Sequence, residues 1–201
     1  MSKFRMPNSF DKWFIALAVA AVFSIACDSL PKETASSAAG NNRTLLLAAN
    51  QKAMKEAMDV PVPGIDGKTV KIGDFKGKVV VVDFWGTWCG PCRRQIPELV
   101  KIHQRYRDQG LELIGLTNEE KTDQKKIEAF MKEFNINYTI AYDNRWISNA
   151  FLKGSEDETG QPPIPQLFVI SRDGRVVDHL FASDPPENLE NTVKRELAQN
   201  R

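Results

Sequence analysis

The chain has 201 residues, of which 42% are hydrophobic and 26% are charged, and this composition is sufficient for one ordinary globular core. Its formal net charge is +1, so no electrostatic argument favours nucleic acid as a partner. Of its three cysteines, Cys89 and Cys92 are three positions apart, and Cys27 lies near the amino terminus.

Residues 1–27 have the pattern of an export signal. A basic start precedes an uncharged apolar stretch, Trp13 to Ala26. As a helix this stretch is shorter than the roughly 30 Å hydrocarbon core of a bilayer, so a signal peptide is favoured over a spanning helix. Ser24 to Cys27 is similar to the bacterial lipoprotein box, which predicts lipidation of Cys27. The alternatives are an uncleaved signal anchor, or nearby cleavage that leaves Cys27 as a spare thiol.

Residues 28–57 predict a connection between this leader and the folded domain. Asp28 to Asn42 is small and polar, a composition that cannot bury a core, so a flexible tether is expected. Thr44 to Met58 contains helical residues and a leucine cluster, which indicate a short helix that packs on the domain or extends beside the tether. The folded domain is expected at residues 58–201.

The next segment predicts a hairpin, a buried strand and a helix. Ile65 to Val70 indicates a small β-hairpin after a proline-rich segment that breaks any helix. Val79 to Phe84 is short, apolar and β-branched, as in a buried strand, and apolar residues at helical spacing predict a helix from about Cys92 to Arg107. Cys89 and Cys92 therefore lie at a strand-to-helix turn.

This position favours redox chemistry at the two thiols. Free backbone N–H groups and the dipole at the amino end of a helix favour a thiolate over a thiol. A zinc site needs a second pair of ligands, and His103 and His179 stand alone, so neither a metal nor another cofactor is expected. A permanent structural disulfide is the other alternative, but so small a loop would stabilise the fold little.

The remaining sequence predicts alternating strands and helices. The predicted strands are Leu111–Thr117, Tyr138–Tyr142, Gln166–Ile170 and Arg175–Phe181. The predicted helices are Asp123–Phe134, Trp146–Leu152 and Leu189–Leu197. Ser171 to Gly174, between the last two strands, is a strong hairpin signal.

The run from Trp85 to Arg94, with Asp83 six residues ahead of Cys89, resembles the active-site region of thioredoxins. Within that superfamily the chain is most similar to the membrane-anchored, extracytoplasmic thiol–disulfide oxidoreductases of the TlpA/ResA kind, over about residues 58 to 200. The resemblance implies an α/β thioredoxin fold with a central mixed β-sheet flanked by helices and an N-terminal β-hairpin extension. It also implies a TlpA-type insertion, formed by the helix and strand between Asp123 and Tyr142.

The resemblance assigns roles to residues outside the cysteine pair. It implies that Asp83 is a buried acid beneath the disulfide with a raised pKa; an ion pair with Lys78 is the alternative. Pro165 matches a cis-proline that faces the disulfide, with Ile164 before it, although a proline-rich loop that merely ends before a strand would look the same. The usual residue after that proline is Thr, so Gln166 is a departure expected to bear on partner contacts.

Residues beside the cysteines are expected to shape the site. Trp85 and Trp88 would shield the disulfide and offer an apolar docking surface, although core packing alone would explain Trp85. Gly90 and Pro91 set the turn, and Pro91 suits the first turn of a helix. A Gly-Pro pair resembles that of reducing members of the superfamily, whereas the two arginines after the motif would stabilise a thiolate and make the pair more oxidising.

These features predict an enzyme that exchanges thiols and disulfides. Cys89, expected to be exposed, would attack a partner disulfide, and the more buried Cys92 would release the partner with Asp83 as base. The expected partners are disulfide-bearing exported proteins, with apocytochrome c implied by the resemblance, and an electron-donating membrane protein. The expected location is the periplasmic side of a bacterial membrane. The alternatives are a net oxidant or isomerase, and a non-catalytic, lipid-anchored binding module.

Overall fold

The computed structural model describes residues 35–199 of the protein, with side chains from Arg43 onward. The predicted signal peptide, residues 1–27 with Cys27, lies outside the described residues, as does the start of the predicted tether. The chain forms two units, residues 1–40 and 41–201. Of the first, the structure describes residues 35–40, which are helical. Within the described residues, no helix is both long enough and apolar enough to cross a membrane.

The amino-terminal helix is longer than the sequence predicts. Helix α1 runs Ala35–Ala57, so the prediction of a flexible tether does not hold for residues 35–42. Alanine is the strongest helix former, and a helix extends easily once a packed part of it has formed. Leu47 and Met54 are buried in the core of the second unit, and the predicted packing of this helix on the domain is confirmed.

Within residues 35–199, seven strands form two sheets. The strands are β1 (Val62–Pro63), β2 (Thr69–Val70), β3 (Val79–Trp85), β4 (Leu111–Thr117), β5 (Thr139–Tyr142), β6 (Gln166–Ile170) and β7 (Val176–Phe181). Strands β1 and β2 pair antiparallel as the predicted hairpin, with Gly67 at a φ of +81° in its turn. The other five form a sheet in the order β5-β4-β3-β6-β7, in which β3, β4 and β5 are parallel and β6 and β7 antiparallel.

Helices cover both faces of the larger sheet, which confirms the predicted fold class. After α1, the helices are α2 (Gly90–Tyr106), α3 (Gln124–Glu133), α4 (Arg145–Leu152) and α5 (Pro186–Ala198). Helices α2 and α5 begin earlier than predicted. Both carry a proline in the first turn, where the missing N–H costs no hydrogen bond.

The sheet separates two apolar layers, and strand β3 contributes to both because its side chains alternate. Val81 and Trp85 pack with α2, α3 and α5 in the layer that also contains both cysteines; we call this side the disulfide face. Val82 and Phe84 pack with α1 and α4 on the opposite face. Asp83 is two residues from both Val81 and Trp85 along the strand, so its side chain lies on the same face as theirs. Its carboxyl group is therefore directed to the disulfide face.

Candidate active site

The two cysteines of the motif form a disulfide at the turn between β3 and α2. Cys89 is the N-cap of α2, and its Sγ accepts the backbone N–H of Cys92 at 3.1 Å. The expectation that Cys89 is exposed is wrong, because only 3% of it is accessible. The carbonyl oxygen of Ile164 lies 3.5 Å from Cys89 Sγ, so a distant loop covers the turn.

The amino end of α2 is arranged to stabilise a thiolate on Cys89 when the disulfide opens. The N–H of Cys92 already points at the sulfur, and a helix concentrates positive partial charge at its first turn. Pro91 lies in that turn and contributes no N–H, while Gly90 and Pro91 are both exposed at the surface. The turn can therefore hold a thiolate and leaves its outer side open to a partner.

Asp83 is a buried carboxyl without a hydrogen-bond partner among the described residues. It is only 1% exposed, and this burial raises its pKa to about 8. The alternative ion pair with Lys78 does not form, because Lys78 Nζ lies 3.0 Å from Glu112 Oε2 instead. A carboxyl group with such a pKa exchanges its proton near neutral pH, which is the property that a proton acceptor for a buried thiol needs.

The two tryptophans of the motif have different environments. Trp85 is buried and packs against Phe130 with ring centroids 5.1 Å apart, so core packing accounts for it. Trp88 is 61% exposed beside Cys89. A side chain at Gly86 would come within 2.8 Å of the Trp88 indole nitrogen, so glycine is needed for this ring position. Of this pair, only Trp88 is available to a partner.

The positive charge that follows the motif is partly engaged elsewhere. Arg93 donates to Glu133 Oε1 at 2.8 Å, and its guanidinium lies over the rings of Phe130 and Phe134, 5.0 and 4.9 Å from their centroids. Arg94 is exposed. The charge of Arg93 is therefore partly neutralised by Glu133, and that of Arg94 is screened by solvent, so both should stabilise a thiolate less than the sequence alone suggests.

Sequence reasoning missed an anchor of the active-site loop. Glu119 lies just after β4, and its carboxylate accepts the N–H of Thr87 at 2.9 Å and the Thr87 hydroxyl at 2.5 Å. Burial raises the pKa of Glu119, but the ion pair with Lys126 at 2.7 Å and the bonds from Thr87 outweigh it and lower the pKa. The position of Glu119 in the sequence could have indicated this contact. It closely follows the predicted strand β4, as Thr87 follows β3, and the carboxyl ends of these two parallel strands meet at one edge of the sheet.

The loop before β6 contributes the other side of the site. The Ile164–Pro165 peptide bond is cis, and Ile164 lies against Cys89. The expected bearing of Gln166 on partner contacts stays a prediction, and any such effect is indirect, because this side chain is completely buried on the opposite face. Strand alternation gives the reason: Gln166 has the parity of Phe168, which belongs to that layer, whereas Leu167 belongs to the disulfide face.

A cavity of about 930 Å³ opens beside the disulfide. Trp88 and Ile164 line it next to the cysteines, and its other walls come from α4 and from the loop that leads to β6. Asp143 lies in its wall, where it accepts a short hydrogen bond from Ser148 and burial raises its pKa to about 6. The site thus combines a disulfide, a proton-exchanging acid and an adjacent space for part of another molecule.

Comparison with known proteins agrees with this geometry. The model of the AhpC/TSA family matches residues 53–179. The thiol-disulfide oxidoreductase ResA of Bacillus thuringiensis subsp. konkukian (strain 97-27) is 34% identical over 143 residues, which cover 70% of this chain and 76% of that protein. ResA of Bacillus subtilis (strain 168) is 29% identical over 133 residues, or 64% of this chain and 69% of that protein.

Solved structures show the same relationship. The crystal structure of a putative thiol:disulfide interchange protein DsbE from Chlorobium tepidum superposes with a TM-score of 0.59 at 28% identity, covering 71% of this chain and 95% of that one. The extent of the family match and the identity to ResA are sufficient to assign the chain. It belongs to the AhpC/TSA family of the thioredoxin superfamily and is a thiol–disulfide oxidoreductase similar to ResA.

Proposed function

We propose that this oxidoreductase works on the periplasmic side of a bacterial membrane and reduces disulfides in exported proteins. The observation that carries the proposal is the Cys89–Cys92 disulfide at the amino end of α2, with the Cys92 N–H directed at Cys89 Sγ. The export signal predicted at residues 1–27 supports the location, and Cys27 in its lipoprotein-like box is the proposed anchor.

The first step is attack by Cys89. In the reduced protein the Cys89 thiolate attacks one sulfur of a partner disulfide; the partner S–S bond breaks, a mixed disulfide forms, and the other partner sulfur leaves as a thiolate. The N–H of Cys92 and the positive end of α2 stabilise the attacking charge. Trp88 and the neighbouring cavity provide surface for the partner chain around its disulfide.

The second step releases the partner. The Cys92 thiol gives its proton to the ionised fraction of Asp83, and the Cys92 thiolate attacks Cys89 Sγ. The Cys89–Cys92 bond forms, and the second partner sulfur leaves as a thiolate that takes up a proton from Asp83 or water. Two electrons pass from the enzyme dithiol to the partner disulfide. A membrane protein that donates electrons would return the enzyme to its dithiol form.

The relationship to ResA and the Gly-Pro pair between the cysteines favour a reducing role, with apocytochrome c as a partner. A net oxidant would use the same steps in the opposite direction. The equilibrium with glutathione distinguishes the two directions: we expect a reduction potential below about −220 mV, near that of thioredoxin, whereas a value near about −120 mV would assign the chain as an oxidant.

A trapping experiment tests the function directly. In cells that express the full chain, Cys92→Ala should hold partners on Cys89 as mixed disulfides, since the second step cannot occur. The matched control is Cys89→Ala, which removes the attacking sulfur and should capture nothing. Identification of exported proteins with cysteine pairs in the trap supports the proposal. An empty trap, or one in which both variants capture the same proteins, would contradict it.

A further inference from the structure

The segment from Ser155 to Pro163 is a loop that forms one wall of the cavity beside the disulfide. It connects α4 to β6, and Gln161 and Pro162 are among the residues by which it lines the cavity. Most of its residues are exposed. None of them is fully buried, and the hydrogen bonds from Thr159 and Gln161 to Asp157 hold the turn within the loop but do not attach the loop to the sheet.

Gln166 binds this loop at both ends. Its side-chain nitrogen donates to the hydroxyl oxygen of Ser155 at 3.0 Å and to the carbonyl oxygen of Pro163 at 2.8 Å. An amide nitrogen carries two hydrogens, so each bond uses one of them. The next residue after Pro163 is Ile164, whose carbonyl oxygen lies against Cys89 Sγ. A single buried side chain thus ties the start and the end of the wall to β6.

His179 on β7 fixes the orientation of the Gln166 amide. Its Nε2 lies 2.6 Å from Gln166 Oε1. Because Gln166 donates through its nitrogen in both other bonds, this oxygen accepts, and His179 Nε2 carries the hydrogen. The imidazole is itself held by stacking on Phe168, with centroids 4.1 Å apart, and by Phe181 at 4.4 Å. Burial, with a smaller contribution from Arg43, lowers the pKa of His179 to about 4, so the ring is neutral.

Packing alone does not explain this pair. Gln166 and His179 are buried beside apolar residues of this layer such as Phe168, where leucine would fill similar space without needing any partner. Both hydrogens of the Gln166 amide bind acceptors in the loop, and the amide oxygen is left to accept from His179. We propose that Gln166, oriented by His179, is a positioning residue that holds the wall against which a partner polypeptide lies while its disulfide reacts with Cys89. This inference rests on the proposed function.

The test compares a protein disulfide with a small one. Purified full-length chain with Gln166→Leu should show a kcat/KM for insulin about tenfold lower, mainly through KM, because the wall no longer has a fixed position. Reduction of dithiobis(nitrobenzoate), which does not need the wall, should stay within about twofold. Ser155→Ala, at a partly exposed position, removes one of the two bonds from Gln166 together with the bond that the hydroxyl donates to the carbonyl oxygen of Leu152 at 2.6 Å, and it should lower kcat/KM for insulin by about threefold.

The two variants of His179 provide the matched control. His179→Leu should resemble Gln166→Leu, whereas His179→Gln should retain most of the insulin activity, because a glutamine N–H can donate to Gln166 Oε1. Equal insulin kinetics in the Gln166→Leu and unsubstituted proteins would overturn the inference, and so would an equal loss with both substrates. If Gln166→Leu does not fold, Ser155→Ala decides by the same comparison. If the unsubstituted chain reduces neither disulfide, the proposed function fails and this inference fails with it.

Discussion

Asp83 on β3 and Gln166 on β6 are buried polar side chains on neighbouring strands, but they face opposite sides of the sheet. Gln166 has a partner for both polar atoms of its amide. Both oxygens of Asp83 lack a hydrogen-bond partner among the described residues. A buried polar group without a partner costs free energy, so stability accounts for the environment of Gln166 and not for that of Asp83.

The difference indicates that the two faces of the five-stranded sheet contribute to function in different ways. The opposite face holds a loop in place through satisfied hydrogen bonds. On the disulfide face, Asp83 has no partner among the described residues. Burial disfavours its charged form and therefore raises its pKa to about 8. Tyr138 on the same face also has a hydroxyl that pairs with none of the residues that the structure describes, and burial together with the nearby Asp83 raises its pKa well above the usual range. Additional partners for Asp83 would lower its pKa and remove its proton exchange near neutral pH.

The largest effect is expected when the unpaired acid is replaced, and it is an effect on the reaction rate. Asp83→Asn keeps the shape of the side chain but cannot accept the Cys92 proton, so the second step of the reaction should slow by about a thousandfold, within the range of general acid–base catalysis. The measurement is the lifetime of the mixed disulfide with a reduced partner protein after acid quenching. In the unsubstituted protein the rate of this step should rise with pH up to about 8.

Asp178 on β7 provides a matched control. Its side chain accepts the Thr192 hydroxyl at 2.6 Å, and it belongs neither to β3 nor to the turn that carries the cysteines. Asp178→Asn should leave the lifetime of the mixed disulfide unchanged. Equal lifetimes in the Asp83→Asn and unsubstituted proteins would mean that Asp83 is not the proton acceptor and that its raised pKa has no role in the reaction.

The second expected effect is on stability. The unfolded chain releases the Asp83 proton near pH 3.8, and the folded protein keeps it to about pH 8. Between these values the folded state binds the additional proton, so the free energy of unfolding contributed by this group falls as pH rises. We expect a fall of about 2–4 kcal/mol between pH 4.5 and 7.5, since each unit of pH contributes at most about 1.4 kcal/mol.

Denaturant unfolding of the oxidised protein at several pH values measures this contribution. Asp83→Asn has no proton to lose, and its curve of unfolding free energy against pH should be flatter by the same amount. Other titrating groups act equally on both proteins, so the difference between the two curves isolates Asp83. Parallel curves would show that Asp83 titrates at an ordinary pKa in the folded protein.

The parts of this site that the sequence predicts are local in the chain. The strand β3, the helix α2 and the cysteine pair between them follow from periodicity within a few residues. The exposure of Cys89 could not be predicted, because the group that covers it, Ile164, is 75 residues away in sequence. The anchor of Thr87 by Glu119 spans 32 residues and depends on which strands are neighbours. Periodicity gives the face of a residue, but not its partner on another element.

Gln166 shows a further limit. The resemblance to thioredoxins places it after a proline that faces the disulfide, which favours a role in partner contacts. The parity of β6 instead directs its side chain to the opposite face, and the strand boundary at Gln166 decides that parity. If the predicted start of a strand is wrong by one residue, each side chain of that strand is assigned to the wrong face of the sheet. The family pattern therefore gave the position of this residue in the chain, and the structure was needed for its direction.

The smallest expected effect concerns a polar group that is satisfied on the disulfide side. Glu119→Gln replaces one acceptor oxygen with a donor and removes the negative charge that pairs with Lys126, so the anchor of Thr87 becomes weaker, at a cost of about 1 kcal/mol in unfolding free energy. Because Thr87 lies two residues before Cys89, the attack on a partner disulfide should also slow, by about tenfold. This slowing should affect small and protein disulfides alike, unlike the effect of Gln166→Leu.

Glu190 separates the two consequences. It accepts from Tyr106 and Arg105, at 2.6 Å each, at the carboxyl end of α2, and Cys89 caps the amino end of the same helix. Glu190→Gln should therefore cost a similar free energy of unfolding and leave the rate of attack unchanged. If both variants slow the reaction equally, loss of stability is sufficient to explain the effect. If only Glu119→Gln slows it, satisfied polar groups position the reactive turn, and the unpaired Asp83 remains the exception that the chemistry requires.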